Sequence, residues 1–242
     1  MLRTRSAAVM RNRLAGIVSC AALAAASLAL CSCSKGARWV RLGDGFIARY
    51  QRGDYAGALR AADQALALAE SAFGAETPKV VIALNRRSLA LQGLGRNAEA
   101  AEASARAVAL ASVALGPEHP DLAYSLANQA MALFGSKRLA EAEAANRKAL
   151  AIYERAAPEY AVKAGTAWNG LAMICQEQKK HAEAEAAYKQ ALAVFEKELG
   201  PGHPFIPAIL ENMAKLYKAM GRQTEAASCE QRLKSLRGGK RR

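Results

Sequence analysis

The chain has 242 residues, enough for one or two domains, and 52% hydrophobic with 23% charged residues excludes wholesale disorder. Aromatics are only 6% while Ala recurs throughout, which suits close-packed helices over a β sandwich, and five Cys are too few for a disulfide-dense scaffold. The net charge of +13 raises nucleic acid as a partner, but nine of those charges (Arg3, Arg5, Arg11, Arg13, Lys234, Arg237, Lys240, Arg241 and Arg242) lie at the two ends; the middle is mildly basic and no specific nucleic-acid partner is expected.

In chain order, the first element is an address. Four Arg and no acid precede an apolar run from Leu14 to Leu30, the charge order of an export signal. From Leu14 to Cys33 the run is nearly long enough to span a bilayer, so a retained anchor is the alternative. Leu30-Cys31-Ser32-Cys33 resembles the lipobox of bacterial lipoproteins, in which the final Cys is acylated and becomes the new amino terminus. That resemblance implies a signal peptide over 1–32, lipidation at Cys33 and a short linker over 33–37. Cys31 fills a slot usually held by Ala or Ser, and cleavage before Cys31 stays open although Leu30 is bulky for the cut. Ile17-Val18-Ser19-Cys20 fits loosely, with almost no apolar run ahead of it. Lys35 stands where an Asp would favour inner-membrane retention, which points to the outer membrane. The expected location is the cell envelope, lipid-anchored and facing the periplasm.

From about residue 38 the sequence repeats. Gly53, Gly95, Lys137, Lys179 and Gly221 recur every 42 residues, as do Ala58, Ala100, Ala142, Ala184 and Ala226. Ala65, Ala107, Ala149 and Ala191 form a second column that Leu233 continues. Linkers agree too: Phe73-Gly74-Ala75-Glu76-Thr77-Pro78, Leu115-Gly116-Pro117-Glu118-His119-Pro120 and Leu199-Gly200-Pro201-Gly202-His203-Pro204, with Ala157-Pro158-Glu159-Tyr160 degenerate but in register. Within a unit the period is helical. Leu122, Leu126, Ala130 and Leu133 share one face, and Ala142, Ala145, Ala149, Ile152 and Tyr153 share another after the Lys137-Arg138 turn. The column at the turn wants positive φ, easily met by Gly and less comfortably by Lys137 and Lys179. Each pair exposes an apolar face that only the next pair can cover, so the predicted fold is an all-α solenoid of about five helix-turn-helix units. Their bounds are about 36–77, 78–119, 120–161, 162–203 and 204–237, within one domain over 38–237, followed by a basic disordered tail at 238–242.

Ala123-Tyr124-Ser125-Leu126-Ala127-Asn128-Gln129-Ala130, the Lys137–Glu143 turn and Arg147-Lys148-Ala149-Leu150-Ala151-Ile152 resemble a tetratricopeptide repeat, and the 42-residue period with its Leu-Gly-Pro-x-His-Pro linker resembles the kinesin-light-chain subtype. The resemblance implies a right-handed superhelix whose first helices line a concave groove, with Asn side chains there holding a peptide backbone. Asn85 and Asn169 share one column with Glu211, and Arg86, Asn128 and Asn212 share the next; Gly170 and Ala127 interrupt this ladder. Tyr50, Gln92, Phe134, Gln176 and Lys218 form a further column, with Met131, Met173 and Lys215 nearby. An Asn amide both donates and accepts, which suits an extended peptide of any side chains. The alternative is that these Asn cap or bridge helices. The last unit carries Glu225, Glu230, Gln231, Arg232 and Lys234, the polar outer face a solenoid end needs.

Chemistry is not expected. His119 and His203 occupy one linker column before Pro and read as backbone caps; His181 sits beside Lys179 and Lys180 and reads as exposed. No Cys-x-x-Cys or His-x-x-x-His spacing and no phosphate loop occurs, so no metal, cofactor or enzymatic activity is expected. Cys175 and Cys229 fall in core columns of different helix types and read as buried small residues, not a disulfide. The expected partner is a protein or peptide held in the groove, with the membrane met through the acylated amino terminus. The alternative is a basic surface binder of anionic polymer or lipid head groups, using Lys240-Arg241-Arg242 and the groove lysines.

Overall fold

The structure, a computed structural model, describes residues 34–238; Cys31, Cys33 and the tail beyond Gly238 lie outside them. Those residues contain ten helices and no strand. They are α1 (34–51), α2 (Tyr55–Phe73), α3 (Pro78–Gly93), α4 (Asn97–Ala114), α5 (Pro120–Gly135), α6 (Leu139–Arg155), α7 (Ala161–Glu177), α8 (His181–Leu199), α9 (Phe205–Ala219) and α10 (Gln223–Gly238). Helix α1 already includes residues 34–37, which the sequence reading set aside as a linker.

One local device ends every odd-numbered helix. In the second unit Gly95 N–H donates to the Gln92 carbonyl (2.9 Å) and Arg96 N–H to the Leu91 carbonyl (2.9 Å), a Schellman motif with residue 95 in the left-handed region. The same pair of bonds recurs at Gly53, Lys137, Lys179 and Gly221. This is why Gly fills the column, and why Lys137 and Lys179 hold φ of 61° and 62°. Even-numbered helices stop differently. Gly74, Gly116 and Gly200 turn the chain out with positive φ, and the linker His that follows caps the next helix: His119 Nδ1 accepts from Asp121 N–H and His203 Nδ1 from Phe205 N–H. The third linker has no Gly and instead forms a single 3₁₀ turn, Pro158–Tyr160, over which Tyr160 stacks on Tyr153.

The Ala columns are the seams of the molecule. Ala58, Ala100, Ala142 and Ala184 are fully buried, as are Ala107, Ala149 and Ala191, so paired helices approach closely where no longer side chain would fit. Each helix packs on the next in the chain, and α3 also meets α5, α5 meets α7 and α7 meets α9. Odd-numbered helices therefore form a continuous inner layer and even-numbered ones the outer layer. Cys175 and Cys229 are buried free thiols. His181 is half-buried rather than exposed, and its enclosed Nδ1 has no hydrogen-bond partner among the described residues.

Candidate partner-binding groove

The inner layer carries a trough built from three adjoining cavities. The first, about 350 Å³, lies between α1, α3 and α5 and is walled by Phe46, Ile47, Ile82, Asn85, Arg86 and Tyr124. The second, about 280 Å³, includes Tyr124, Asn128, Met131, Asn146, Asn169 and Met173 in its wall, and Lys163 stands between it and the first. Thr166 and Asn169 then lead to a third, about 160 Å³, closed by Phe195, Phe205 and Ile209. Ile47, Ile82, Tyr124 and Phe205 are among the few large apolar side chains left exposed on the molecule, and all four face this trough. An apolar trough with a few polar groups is the usual form of a binding site.

The structure divides the sequence-predicted groove residues into two sets. Asn85 and Asn128 are buried and bonded to each other: Asn128 Nδ2 donates to Asn85 Oδ1 (3.3 Å), and Asn85 Nδ2 donates to Ser125 Oγ (2.8 Å). Gln92 joins them, donating to the Asn128 carbonyl and to Ser88 Oγ. Together they tie α3 to α5. Gln176 Oε1 accepts from the Tyr188 hydroxyl across the α7–α8 pair, and Lys218 pairs with Glu230 on α10 (2.5 Å). Tyr50 lies between the rings of Phe46 and Tyr55, where burial raises its phenol pKa; Phe134 packs against the α3–α6 core; Asn212 is half-buried and lines none of the three cavities.

The second set keeps unspent hydrogen-bonding capacity in the trough. Asn169 offers its Nδ2 only to Met173 Sδ (3.8 Å), and its buried Oδ1 has no donor among the described residues. Arg86 stacks its guanidinium over Trp39 and Phe46, burial lowers its pKa, and enclosed Nη1 has no acceptor among the described residues. It fits there because residue 43 is Gly; a Cβ on Gly43 would lie 2.6 Å from Nη1.

Sequence reasoning missed Asn146, and the reason is instructive. Gly170 looks like a gap in the Asn ladder. A Cβ there would come within 2.8 Å of Asn146 Nδ2, so the missing side chain is what admits Asn146 from α6 to the second cavity. Asn146 is fully buried with Oδ1 lacking a donor among the described residues. Val40, Ile82 and Tyr124, 42 residues apart, were also missed; apolar residues recurring on an otherwise polar helix face were the available signal.

One further cluster has chemical interest. Ligand atoms of Glu143, Cys175 and Glu183 lie within 4.8 Å of one another. Glu143, however, already accepts from Lys180 Nζ (2.7 Å) and Arg147 (2.8 Å), and Arg147 also reaches Glu183 (2.7 Å). The Lys180 hydrogen bond, aided by Arg147 and Gln178, holds the Glu143 carboxyl below its ordinary range, while burial raises the Cys175 thiol. Resident cations thus already pair with both carboxylates. The cluster is a charge ladder joining α6 to α8.

No curated protein matches the sequence. Among solved structures, the fold resembles kinesin-light-chain TPR-like repeats of Podosopora anserina, at 21% identity and a TM-score of 0.69 over 84% of this chain and 96% of that one. It also resembles BtubC (BKLC) from P. vanneervenii, at 20% identity and a TM-score of 0.72 over 86% of this chain and 82% of that one. A third is a Rap protein solved with competence and sporulation factor, at 17% identity and a TM-score of 0.60, covering 85% of this chain and 65% of that one. At these identities the likeness concerns the fold. Tetratricopeptide-repeat profiles match residues 48–79, 80–155 and 163–237, most of the sequence. The chain belongs to the tetratricopeptide repeat family.

Proposed function

We propose that this protein is an exported, membrane-anchored scaffold whose inner trough holds an extended segment of a partner protein. The observation that carries the reading is the set of buried groups without partners along one apolar trough: acceptors at Asn146 and Asn169 and a donor at Arg86. A buried polar atom left unpaired costs about 1–3 kcal/mol, and an extended peptide supplies donors and acceptors alternately along its length. The Rap protein fold, solved with competence and sporulation factor, is consistent with a groove of this kind receiving a ligand. Export and anchoring rest on the Arg-led apolar run and on Leu30-Cys31-Ser32-Cys33, with Cys33 acylated and the repeats facing the periplasm at the outer membrane.

Two measurements test this. Mass spectrometry of the purified protein is expected to show an acylated Cys33 as the first residue; an intact residue 1, or an unmodified terminus elsewhere, overturns the anchor. Partners captured from membranes by the native chain are then titrated against Asn169→Ala. At least a tenfold loss of affinity, with an unchanged thermal melt, is expected from stranding one peptide group. Unchanged affinity moves binding out of the trough.

A further inference from the structure

At the amino-terminal end of the solenoid, the first unit has no predecessor among the described residues to cover it, and its open face is made of arginine. Arg38, Arg41 and Arg49 on α1 and Arg60 on α2 line a groove of about 470 Å³ floored by Gly45 and Gly57. The repeat shows how unusual these residues are. Forty-two residues on, Arg38 becomes Val80, then Leu122, Ala164 and Ile206; Arg41 becomes Ala83, Ser125, Ala167 and Ile209; Arg49 becomes Leu91, Leu133, Cys175 and Tyr217. All twelve equivalents are buried. Three core columns therefore switch to Arg where the solenoid ends.

Solubility alone calls for a polar end, and the carboxyl-terminal end shows what that looks like. There the charges are mixed and neutralised: Lys218 with Glu230, Arg222 with Glu225, Arg237 with Glu211. At the amino-terminal end no carboxylate lies within ion-pair distance of Arg38, Arg41, Arg49 or Arg60 among the described residues. Of the nearby acids, Asp54 caps α2, Asp63 pairs with Arg87 and Glu70 with Arg106, and exposed Asp44 on α1 forms no ion pair with any of the four arginines. Gly45 and Gly57 let the Arg49 side chain lie flat: a Cβ at either would come within 2.8 Å of it, and Nη1 donates to the Gly45 carbonyl (2.9 Å). Four arginines line one groove, and no carboxylate of the described residues lines it with them.

We propose that this face docks on an anionic membrane surface, the guanidiniums binding phospholipid phosphates. The chain itself points to that occupant. The apolar run from Leu14 to Leu30 and Cys33 immediately precede α1, and Arg38 follows Cys33 by five residues, within about 18 Å however the chain runs. Guanidinium forks match phosphate oxygens in pairs, and basic residues beside an anchor add attraction to anionic lipid. The inference extends the anchored reading given above by fixing how the solenoid sits: its first unit lies on the bilayer and the trough leads away from it.

The test uses the full chain reconstituted into vesicles of phosphatidylcholine alone, or of phosphatidylcholine and phosphatidylglycerol in equal parts. Phenylglyoxal labelling of each arginine is followed by mass spectrometry. Arg38, Arg41 and Arg60 are expected to label about fivefold more slowly with phosphatidylglycerol, the factor for one basic side chain held at an anionic surface. Exposed Arg155 is expected to label equally in both. Arg38→Gln with Arg41→Gln should return Arg60 to the unprotected rate without altering the thermal melt. Equal rates in both vesicles, equal protection of Arg155, continued protection of Arg60 in the variant, or protection by duplex DNA in place of phosphatidylglycerol each overturn the proposal. Failure of the chain to stay with phosphatidylcholine vesicles counts separately, against the anchor and not against the arginine face.

Discussion

Lys179 shows how one backbone angle carries a measurable free energy. Its φ of 62° is the left-handed conformation that an L side chain adopts at a cost of about 1–2 kcal/mol, whereas Gly adopts it freely. Its side chain is exposed and makes no ion pair among the described residues. Lys179→Gly is expected to stabilise the fold by about 1 kcal/mol after the entropy of the added Gly is deducted, and a urea titration reads it. Gly95→Ala, the reverse change in the same column, should cost a similar amount. Here the sequence was fully legible, because a 42-residue column of Gly, Gly, Lys, Lys and Gly names both the turn and its two strained members. The Asn ladder was legible only as a list of positions. The columns place Asn85 and Asn169 at equivalent positions and Asn128 one position on, but do not show that Asn85 and Asn128 bond each other while Asn169 Oδ1 stays unpaired among the described residues. That division depends on Ser125, which lies in another column, and on the gap at Gly170 that admits Asn146 from another helix. Asn128→Ala is therefore expected to lower stability by about 1–3 kcal/mol by stranding Asn85 Oδ1, in contrast with Asn169→Ala.

Pairs of helices add two further dependences. Ala142 is fully buried at the α6 seam while Ala140, two residues earlier, is exposed. Ala142→Leu should overpack the seam and cost about 1–3 kcal/mol, with Ala140→Leu near neutral in the same melt. Between units, Glu143 binds α6 to α8 through Lys180, and Glu185, paired with Lys189 within α8, binds that helix to the last unit through Arg222 and Tyr217. Their carboxyl pKa values are lowered, by the Lys180 hydrogen bond first at Glu143 and by the Lys189 hydrogen bond first at Glu185. A carboxylate with a depressed folded-state pKa adds stability that is complete above its unfolded pKa, near 4.3, and is lost as pH falls through the lower folded value. Stability measured by denaturant should thus fall as pH drops below about 5, and Glu143→Gln should flatten that fall. Spacing along one helix shows the neighbours four residues away and hides those on the next unit, 37 residues away.

Taken whole, a solenoid is complementary to itself. The front of each unit is shaped to receive the back of the one before it, so ends left apolar would let a second copy continue the stack, and such head-to-tail contacts propagate into fibres because nothing closes them. Arg38, Arg41 and Arg49 stand in the columns where such a continuation would be buried, and seating another molecule there would strand three cations in a core. Restoring the internal pattern, with Arg38→Val, Arg41→Ala and Arg49→Leu as in the second unit, is expected to expose an apolar end face and make the chain self-associate. Light scattering should rise with protein concentration in the triple variant and stay flat in the native chain. The arginines then act as an end stop: they keep a second copy from seating on the first unit.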